Sequence, residues 1–290
     1  MTVVSAATCT TLKAPALAAT YAGDDPELLR RIAPLLDVIE IAPDPIARAV
    51  GSSTRIRRDV LAEYANIAND VGFTVHGLGL SIGSFDSWHH DHLQVLDELF
   101  EQVEVAWHSE HLGCTRVAGE SLGTMLALPR TTEAIDLVCE RVHALQRRYG
   151  IPFLLEQVAG LLPESSAEYS PAEFLNVIAR ESGCGLILDA YNLECDVHNH
   201  GLDLKRFLEE LDFSTVREVH LAGGVRYKGA RLDIHSSVTE PETLALAVDI
   251  ARRASALELV TFEFLKEAVP LLGHDAICRE LLRVREALSL

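Results

Sequence analysis

The sequence has no apolar run that approaches the ~18 residues needed to cross a membrane. Its first twenty residues are small and weakly apolar, but no basic region precedes their apolar part, which argues against a secretory signal peptide. These two absences predict a protein that has no membrane partner and that resides in the cytoplasm.

Cysteine is scarce and widely spaced, because none of the six cysteines forms a CxxC pair. Such spacing argues against a zinc ribbon and against a disulfide framework. Cys139 on an apolar helix face and Cys184 just before a strand have the pattern of buried thiols. Cys195 differs, because it lies within DAYNLECDVHNHG (189–201), where acidic and histidine side chains crowd together after an apolar run.

Basic residues are also few: 25 Lys and Arg stand against 43 Asp and Glu, which gives a formal net charge of −18. A surface of this sign repels a phosphate backbone, so the composition argues against a nucleic-acid partner. Metal cations held inside the protein would offset part of this charge.

Strand-like apolar runs alternate with helical patterns along the 290 residues. Eight strands are predicted, at 16–20, 37–42, 73–79, 103–110, 152–157, 185–190, 217–223 and 259–264. Each is followed by a segment with helical spacing, at roughly 25–36, 56–70, 89–102, 131–149, 171–182, 203–211, 241–255 and 274–288. Strand runs that are apolar on both faces and joined by helices indicate a parallel sheet covered by helices.

Local signals support this alternation. Ser170 is placed as an N-cap, with Pro171 at the first helical position and Glu173 completing a capping box. Eight units in this length fit an α/β fold, a closed (β/α)8 TIM barrel. An open doubly wound sheet is the competing architecture, but no GxGxxG motif follows the first strand. Since no linker or repeat divides the chain, we predict a single domain over residues 1–290.

Polar side chains gather where the predicted strands end, and in such a barrel the carboxyl ends of the strands form one mouth. The set holds four imidazoles, four carboxylates and one amide: His76, His111, His220, His235, Glu156, Asp189, Asp233, Glu263 and Asn192. Taken singly, each has an ordinary structural explanation, such as a capped turn or an arginine partner. Together the charged groups would repel one another without cations between them. The pattern therefore predicts a multinuclear metal site, in which neutral imidazoles and carboxylates share divalent ions.

The remaining histidines carry less weight. WHHDH (88–92) is interpreted as a solvated helix start, with a role in a lid left open, and His143 and His274 as surface residues. His198 and His200, in HNHG, are either further ligands or parts of a loop that faces substrate. The glycines of HGLGLSIGS (76–84) let the backbone pass close to the site, but they lack the lysine and the spacing of a phosphate-binding loop.

Eight short motifs occur in the order typical of the DUF692 family: VHGLGLSIGS, SEHLG, LLEQ, LILDAYN, HNHG, VHLAGG, LDIHSS and FEF. The sequence resembles this family from about residue 70 to residue 265. Its members are multinuclear non-heme iron-dependent oxidative enzymes, such as the methanobactin biosynthesis oxidase, on xylose-isomerase-like TIM barrels. The ligand order is also similar to that of the apurinic endonucleases, which hold three zinc ions.

The resemblance implies that the nine strand-end residues surround two or three iron ions and that O2 is a co-substrate. Asn192 is informative, because the endonuclease-like pattern has a histidine three residues after the strand-six aspartate, whereas the iron family has asparagine. An oxygen donor at this position favours iron redox chemistry over a closed zinc hydrolase site.

Family members modify cysteine residues in ribosomally made precursor peptides, and a separate partner protein helps to present the peptide. The resemblance therefore implies O2-dependent oxidation of a Cys-containing precursor peptide. Tyr191, His198 and His200 are the candidates for substrate contact or proton transfer.

Four positions depart from the common family pattern. Gln157 and Tyr191 stand where asparagine is usual, His108 stands where an apolar residue is typical, and Cys195 is unusual in its segment. We predict that these four side chains line the pocket and bear on the substrate and product more than on the metals.

Two other enzyme classes share most of this ligand order. A zinc phosphodiesterase acting on DNA is disfavoured by the acidic composition and by Asn192. A divalent-metal sugar isomerase would need polar sugar-binding residues and usually has fewer histidines. A non-catalytic binding subunit would have lost some ligand positions, and none of the nine is lost.

Overall fold

The computed structural model describes residues 15–50, 53–67, 70–86, 89–162 and 166–289. Its strands, numbered in chain order, are β1 (Ala16–Tyr21), β2 (Val38–Ile41), β3 (Ala47–Val50), β4 (Ser53–Ile56), β5 (Gly72–Gly77), β6 (His108–His111), β7 (Gly113–Val117), β8 (Glu120–Ala127), β9 (Phe153–Glu156), β10 (Gly185–Asp189), β11 (Val216–Leu221), β12 (Val225–Tyr227), β13 (Ala230–Leu232) and β14 (Leu259–Phe262). Eight of them form a closed barrel in the order β1-β14-β11-β10-β9-β6-β5-β2. All eight pairings are parallel, and β1 joins both β14 and β2. The predicted (β/α)8 fold is confirmed.

The helices lie outside this barrel and bury their apolar faces against it. They are α1 (Pro26–Ile32), α2 (Pro43–Ile46), α3 (Arg58–Ile67), α4 (His90–Phe100), α5 (Thr132–Tyr149), α6 (Pro171–Ser182), α7 (Ala190–His200), α8 (Leu204–Glu210), α9 (Pro241–Arg253), α10 (Val269–Leu272) and α11 (His274–Leu288). The capping box at Ser170 and Glu173 forms as predicted. None of the helices in the described part of the chain combines the length and hydropathy of a membrane span.

Three antiparallel hairpins, β3–β4, β7–β8 and β12–β13, are additions that the sequence analysis missed. Each follows the carboxyl end of a barrel strand, so each extends from the mouth side of the barrel. The turns of the last two hairpins have positive φ at Ala118, Gly119, Lys228 and Gly229. Two consecutive positive φ angles are typical of type I′ turns, but Ala-Gly and Lys-Gly lack the Asn-Gly signal that usually reveals them.

Two expectations need correction. The fourth barrel strand begins at His108 rather than at residue 103, although Val103 and Trp107 are buried. The N–H of Ala106 and the carbonyl of Trp107 still hydrogen-bond to Phe73 and Val75 of β5, so this segment leads into the barrel strand. The segment after Asp189, expected as a loop, is helix α7. The Asp189 side chain caps it by accepting a hydrogen bond from the backbone N–H of Asn192, and Gly201 ends it with a φ of 72°.

Some predictions fall on residues outside the described ranges. These residues are 1–14, which include Cys9 and the start of the predicted domain, positions 68–69 of the predicted second helix, and Trp88 of WHHDH.

Side chains that point into the barrel change in character from one end to the other. At the amino-terminal end of the strands they form an apolar floor: Ala16, Ala18, Trp107, Leu154, Ile187 and Leu259. Towards the carboxyl ends they become polar and charged, with Glu40 and Glu218 below and His220 and Glu263 above. Since a barrel interior is normally filled by apolar side chains, this upper half is built for something other than packing.

Candidate metal centre

Glu156, the last residue of β9, is the centre of the polar cluster. Its side chain is fully buried, and its Oε2 lies 2.8 Å from Nε2 of His76, 3.5 Å from Nε2 of His111 and 3.4 Å from Nδ1 of His220. The imidazoles arrive from β5, β6 and β11 because alternate residues of each strand face the barrel interior. One carboxylate oxygen is thus surrounded by three imidazole nitrogens from three strands.

A second group of donors adjoins the first. Nδ1 of His220 lies 3.0 Å from Oε2 of Glu263, just after β14. The donor atoms of Glu156, Asp189, His220 and Glu263 all lie within 4.8 Å of one another, as do those of His76, Glu156 and His220. Glu156 and His220 belong to both sets. A carboxylate can be shared by two adjacent cations, but a neutral imidazole has one lone pair, so His220 can serve only one of the two positions.

The Asp-x-His pair after β13 is brought to the same place. Oδ1 of Asp233 lies 2.7 Å from Nε2 of His235, and Nδ1 of His235 lies 3.7 Å from Oε2 of Glu263. His235 has a φ of 43°, an unusual conformation for a residue other than glycine. Such strain commonly marks a functional site, and here it accompanies an imidazole placed beside Glu263.

Asn192 completes the set from the first turn of α7. Its Nδ2 donates to Oε1 of Glu156 at 3.3 Å and to the carbonyl of Gln157 at 3.2 Å. Its Oδ1 is buried and has no hydrogen bond. The side-chain oxygen is therefore free to bind a cation, which is the part that the sequence analysis assigned to it.

Unsatisfied buried atoms test whether a metal fits these residues. Seven of the nine predicted ligands have a buried side-chain donor atom without a hydrogen bond: Glu156, Asp189, Asn192, His220, Asp233, His235 and Glu263. Buried polar atoms are normally paired, and leaving one unpaired costs about 1–3 kcal/mol. Imidazole and carboxylate donors together suit divalent first-row metals such as iron, zinc and manganese. The residues present therefore fit a multinuclear metal centre.

The charges of the metal-free cluster are balanced by protons. Burial alone would lower the pKa of His76, but the Glu156 carboxylate, 2.8 Å from its Nε2, outweighs this effect and raises the pKa to about 9. Burial raises the pKa of Asp189 well above its usual range, and the carboxylates of Glu156 and Asp233 raise it further. A bound divalent ion would reverse both effects, since it favours neutral imidazole and ionised carboxylate.

We therefore expect metal affinity to rise with pH. Because the pKa of His76 is about 9 in the metal-free protein, binding must displace its proton at neutral pH. Each displaced proton makes the apparent Kd of Zn²⁺ about tenfold tighter per pH unit below that pKa, and the dependence flattens above it. Competition titrations against a chelator at several pH values, together with calorimetry in two buffers, measure this slope and the released protons. A pH-independent Kd without proton release contradicts the expectation.

Two of the three predicted catalytic residues, His198 and His200, lie apart from these donors, and Tyr191 is next to Asn192 in the first turn of α7. Tyr191 is buried against Cys195 and Ala222. His198 and His200 are in the last turn of α7, about 15 Å along the helix from Asp189 at 1.5 Å per residue. Their Nε2 atoms contact the carbonyls of Gly229 and Gly160, respectively. These contacts anchor neighbouring loops, and a role for either histidine in substrate contact remains a proposal.

The positions that depart from the family pattern do not all face the pocket. The side chain of Gln157 accepts from the backbone N–H of Asp189 at 3.1 Å and donates to its carbonyl at 2.7 Å, which holds Asp189 in place. His108 points away from the barrel interior and packs against Phe100 and Tyr149 of the outer helices. The expectation that His108 lines the pocket is wrong, because residues of one strand alternate between its two faces.

The sequence analysis missed a row of buried polar contacts on the outside of the barrel. Nε2 of His108 lies 3.1 Å and Nε2 of His92 lies 3.5 Å from Oε1 of Glu110, and Nδ1 of His92 lies 3.4 Å from Oδ1 of Asp44. His92 is only 4% exposed, so the interpretation of WHHDH as a solvated helix start is wrong for this residue. A Cβ atom at Gly77 would lie 2.2 Å from the Glu110 carboxylate, so only glycine at this position leaves room for the Glu110 side chain.

Replacing His92 with Leu is expected to destabilise the protein by about 3 kcal/mol, because Glu110 would become a buried carboxylate without its cationic partner. The charges of Asp44 and Glu110 outweigh the effect of burial and raise the pKa of His92 to about 10, so the imidazole is protonated at neutral pH. Urea denaturation at pH 7 measures the difference. His90→Leu, at an exposed position of the same helix, is the control. Equal stability of the two variants would show that the contacts of His92 with Glu110 and Asp44 contribute nothing to the free energy of unfolding.

The barrel is similar to solved structures of the xylose-isomerase-like class. A xylose isomerase domain-containing protein from Salmonella typhimurium has a TM-score of 0.63 at 15% identity, over 94% of this chain and 97% of that one. Endonuclease IV from Thermus thermophilus has a TM-score of 0.59 at 17% identity, over 95% and 99%. At such identities the similarity shows the fold alone. Fold and site together define a xylose-isomerase-like TIM barrel with a candidate multinuclear metal centre.

Sequence comparison identifies the family, which the structural similarities do not. A UPF0276 protein of Anaeromyxobacter sp. (strain Fw109-5) is 33% identical over 193 residues, which are 67% of this chain and 68% of that protein. A UPF0276 protein of Rhizorhabdus wittichii is 33% identical over 172 residues, or 59% and 62%. The profile of the RiPP precursor modification enzymes MbnB/TglH/ChrH matches residues 25–287. The chain belongs to this family, and the resemblance found in the sequence is confirmed.

Proposed function

We propose that this protein is a multinuclear non-heme iron enzyme that uses O2 to oxidise cysteine residues of a ribosomally made precursor peptide. One observation carries the proposal: a buried group of imidazoles and carboxylates whose facing atoms lack hydrogen bonds, in a chain of a peptide-modifying family. The family supports a precursor peptide as the substrate class. The donor set supports the metal, and the choice of iron and O2 rests on the resemblance described above.

The two donor sets and the Asp-x-His pair suggest how two or three ions would be held. His76 and Glu156 of the first set would hold one ion, with His111 in place of His220, which serves the second. Glu156, Asp189, His220 and Glu263 would hold a second. Asn192, Asp233 and His235 would serve a third beside them. When bound, iron supplies electrons for the reduction of O2 and a Lewis-acidic position for a cysteine thiolate.

The protein itself supplies orientation and exclusion of water. Gln157 holds the backbone of Asp189, and the carbonyl of Gly77, 2.9 Å from Nδ1 of His111, orients that ring. Such outer partners fix the direction of each donor before substrate arrives. The cluster lies at the bottom of a mouth, so a peptide cysteine must enter it from the loop side of the barrel.

The rim of this mouth suits a peptide better than a nucleic acid. Apolar side chains are exposed on several of the loops that follow the barrel strands: Leu78, Phe85, Leu161, Leu162, Tyr227 and Leu265. Apolar patches that surround a polar centre commonly bind peptide side chains. The net charge of −18 argues in the same direction, because it disfavours a phosphate backbone.

We also propose that a separate partner protein presents the peptide. Every strand of the described residues belongs to the barrel or to one of its three hairpins, and the helices pack around that barrel. Recognition of a long precursor would then depend on contacts beyond the mouth. Copurification of the enzyme with a candidate partner and the peptide, compared with each pair alone, tests this part.

The decisive experiment is the metal content of protein purified without oxygen, with iron and zinc counted per chain. Two to three iron ions and an absorption spectrum that changes on addition of O2 would support the proposal. Tightly held zinc, with no uptake of iron after anaerobic loading, would favour a hydrolase instead, and nicking of abasic DNA would then be the next assay. Absence of any bound metal would contradict the proposed site.

A further inference from the structure

Two carboxylates occupy the barrel interior directly below the candidate metal centre. Glu40 on β2 and Glu218 on β11 are completely buried, and neither was predicted as a site residue. Parallel barrels usually fill this level with branched apolar side chains. Burial of a carboxylate is costly unless donors face it, so the position of this pair requires an explanation.

Neutral donors hold both carboxylates in place. Trp107 donates through Nε1 to Oε2 of Glu218 at 3.0 Å, and Thr261 donates through Oγ1 to Oε1 of the same carboxylate at 2.5 Å. Thr20 donates through Oγ1 to Oε1 of Glu40 at 3.2 Å. These bonds orient the remaining oxygen lone pairs upwards, towards His220.

His220 stands between the two levels, with one ring nitrogen facing each. Its Nε2 lies 3.3 Å from Oε1 of Glu218 and 3.4 Å from Oε2 of Glu40. Its Nδ1 lies 3.0 Å from Oε2 of Glu263 and 3.4 Å from Oε2 of Glu156. A neutral imidazole has one N–H and one lone pair. A cation held by Glu156 and Glu263 therefore needs the lone pair on Nδ1, which leaves the N–H on Nε2, facing the two lower carboxylates.

We infer that Glu218, together with Glu40, is a positioning residue that accepts the Nε2–H of His220 and so makes Nδ1 the metal-binding nitrogen. The inference rests on the metal centre of the proposed function. A carboxylate behind a ligating histidine fixes its tautomer and ring orientation and makes the other nitrogen a stronger donor. Loss of such a partner typically weakens metal binding 10- to 100-fold.

Glu218→Gln would remove this arrangement with little change in side-chain volume. The carboxylate accepts from Trp107, Thr261 and His220 together. A glutamine has a single oxygen, and its NH2 group would face one of these donors. Glu218→Gln is therefore expected to release His220 from its fixed tautomer. Glu40→Gln, which leaves Glu218 in place, should have the same effect in weaker form.

The test uses Zn²⁺ alone as the probe, without peptide or O2. In protein labelled with ¹⁵N at histidine and loaded with Zn²⁺, the ring shifts show which nitrogen binds the metal, and His220 is assigned by its absence in His220→Asn. We expect Nδ1–Zn and Nε2–H in the wild type. Glu218→Gln should shift the Nε2 signal and raise the Kd of Zn²⁺ 10- to 100-fold. Glu280→Gln, at a buried glutamate of α11 outside the barrel interior, should change neither.

Several outcomes would overturn the inference. Zn²⁺ on Nε2 of His220 in the wild type is one, and an unchanged Kd and spectrum in both Glu218→Gln and Glu40→Gln is another. Loss of one whole equivalent of metal at saturation in Glu218→Gln would show that Glu218 is itself a ligand of a cation below His220. Wild-type protein that binds Zn²⁺ through Nδ1 but never binds iron would contradict the proposed oxidase function and leave this inference intact. Failure to bind any divalent metal would sink both.

Discussion

Replacing Glu156 with Gln is expected to remove at least one metal ion per chain and to lower O2-dependent turnover by about 10³-fold or more. A single carboxylate oxygen of Glu156 faces three imidazoles, and the residue belongs to two donor sets. A neutral amide keeps the shape but supplies no charge to either position. Losing about 4 kcal/mol of metal-derived stabilisation of the transition state corresponds to about a thousandfold in rate.

Elemental analysis measures the metal content, and single-turnover assays in which anaerobic enzyme and precursor peptide are mixed with O2-containing buffer measure the rate. Glu280→Gln is the matched control, because it removes a buried carboxylate that contacts Arg283 and lies on an outer helix. It should retain the metal content and rate of the wild type. Full metal content and normal turnover in Glu156→Gln would mean that the centre of the cluster has been misassigned.

Replacing His220 is expected to affect both stability and activity. His220→Ala should lower bound iron and abolish turnover, and it should also destabilise the metal-free protein by about 3–5 kcal/mol. Four buried carboxylates, those of Glu40, Glu156, Glu218 and Glu263, contact this one imidazole. Burial lowers the pKa of His220, but the charges around it, Glu263 foremost, raise that pKa well above its usual value.

The sign of the pH dependence follows from this raised pKa. The stabilisation by protonated His220 is fully present below the ordinary histidine pKa and is lost as the pH rises through the raised one. Urea denaturation in the presence of a chelator, at pH 6 and at high pH, therefore should show the larger difference between wild type and variant at pH 6. His143→Ala, outside the barrel interior, is the control. Unchanged stability and metal content in His220→Ala would contradict its place at the centre of the site.

Periodicity and residue type were sufficient to predict the barrel and to place the site at the carboxyl ends of its strands. Apolar runs on both faces required each strand to be buried on both sides, by the barrel interior and by the outer helices, and polar residues at strand ends had to meet at one mouth once the sheet closed. This is why the sequence alone predicts that Glu156, His220 and Asp189, from three separate segments, lie together. Capping chemistry was equally local, as at Ser170 and Glu173.

The errors came from features with the same local pattern but different surroundings. His92 and His90 share one polar stretch, yet one is buried against Glu110 and the other is exposed. The fourth strand was predicted too long because Val103 and Trp107 are buried and because Ala106 and Trp107 hydrogen-bond to β5, whereas the strand itself covers only His108–His111. Two hairpin turns have positive φ at Ala-Gly and Lys-Gly. The asparagine that usually identifies such turns in a sequence is absent from both.

The sequence by itself determined the fold, the family and which polar residues gather at the strand ends, because alternation, capping and strand-end chemistry depend on neighbours along the chain. The tertiary structure alone decided which of these side chains lie within 4.8 Å of one another, that Glu40 and Glu218 lie beneath His220, and that His92 links Asp44 to Glu110. Contacts of this kind depend on barrel register and helix docking, which bring together residues as distant in sequence as Glu40 and Glu218. The tautomer of His220 depends on both sides of its ring at once, and only the folded barrel supplies both sides.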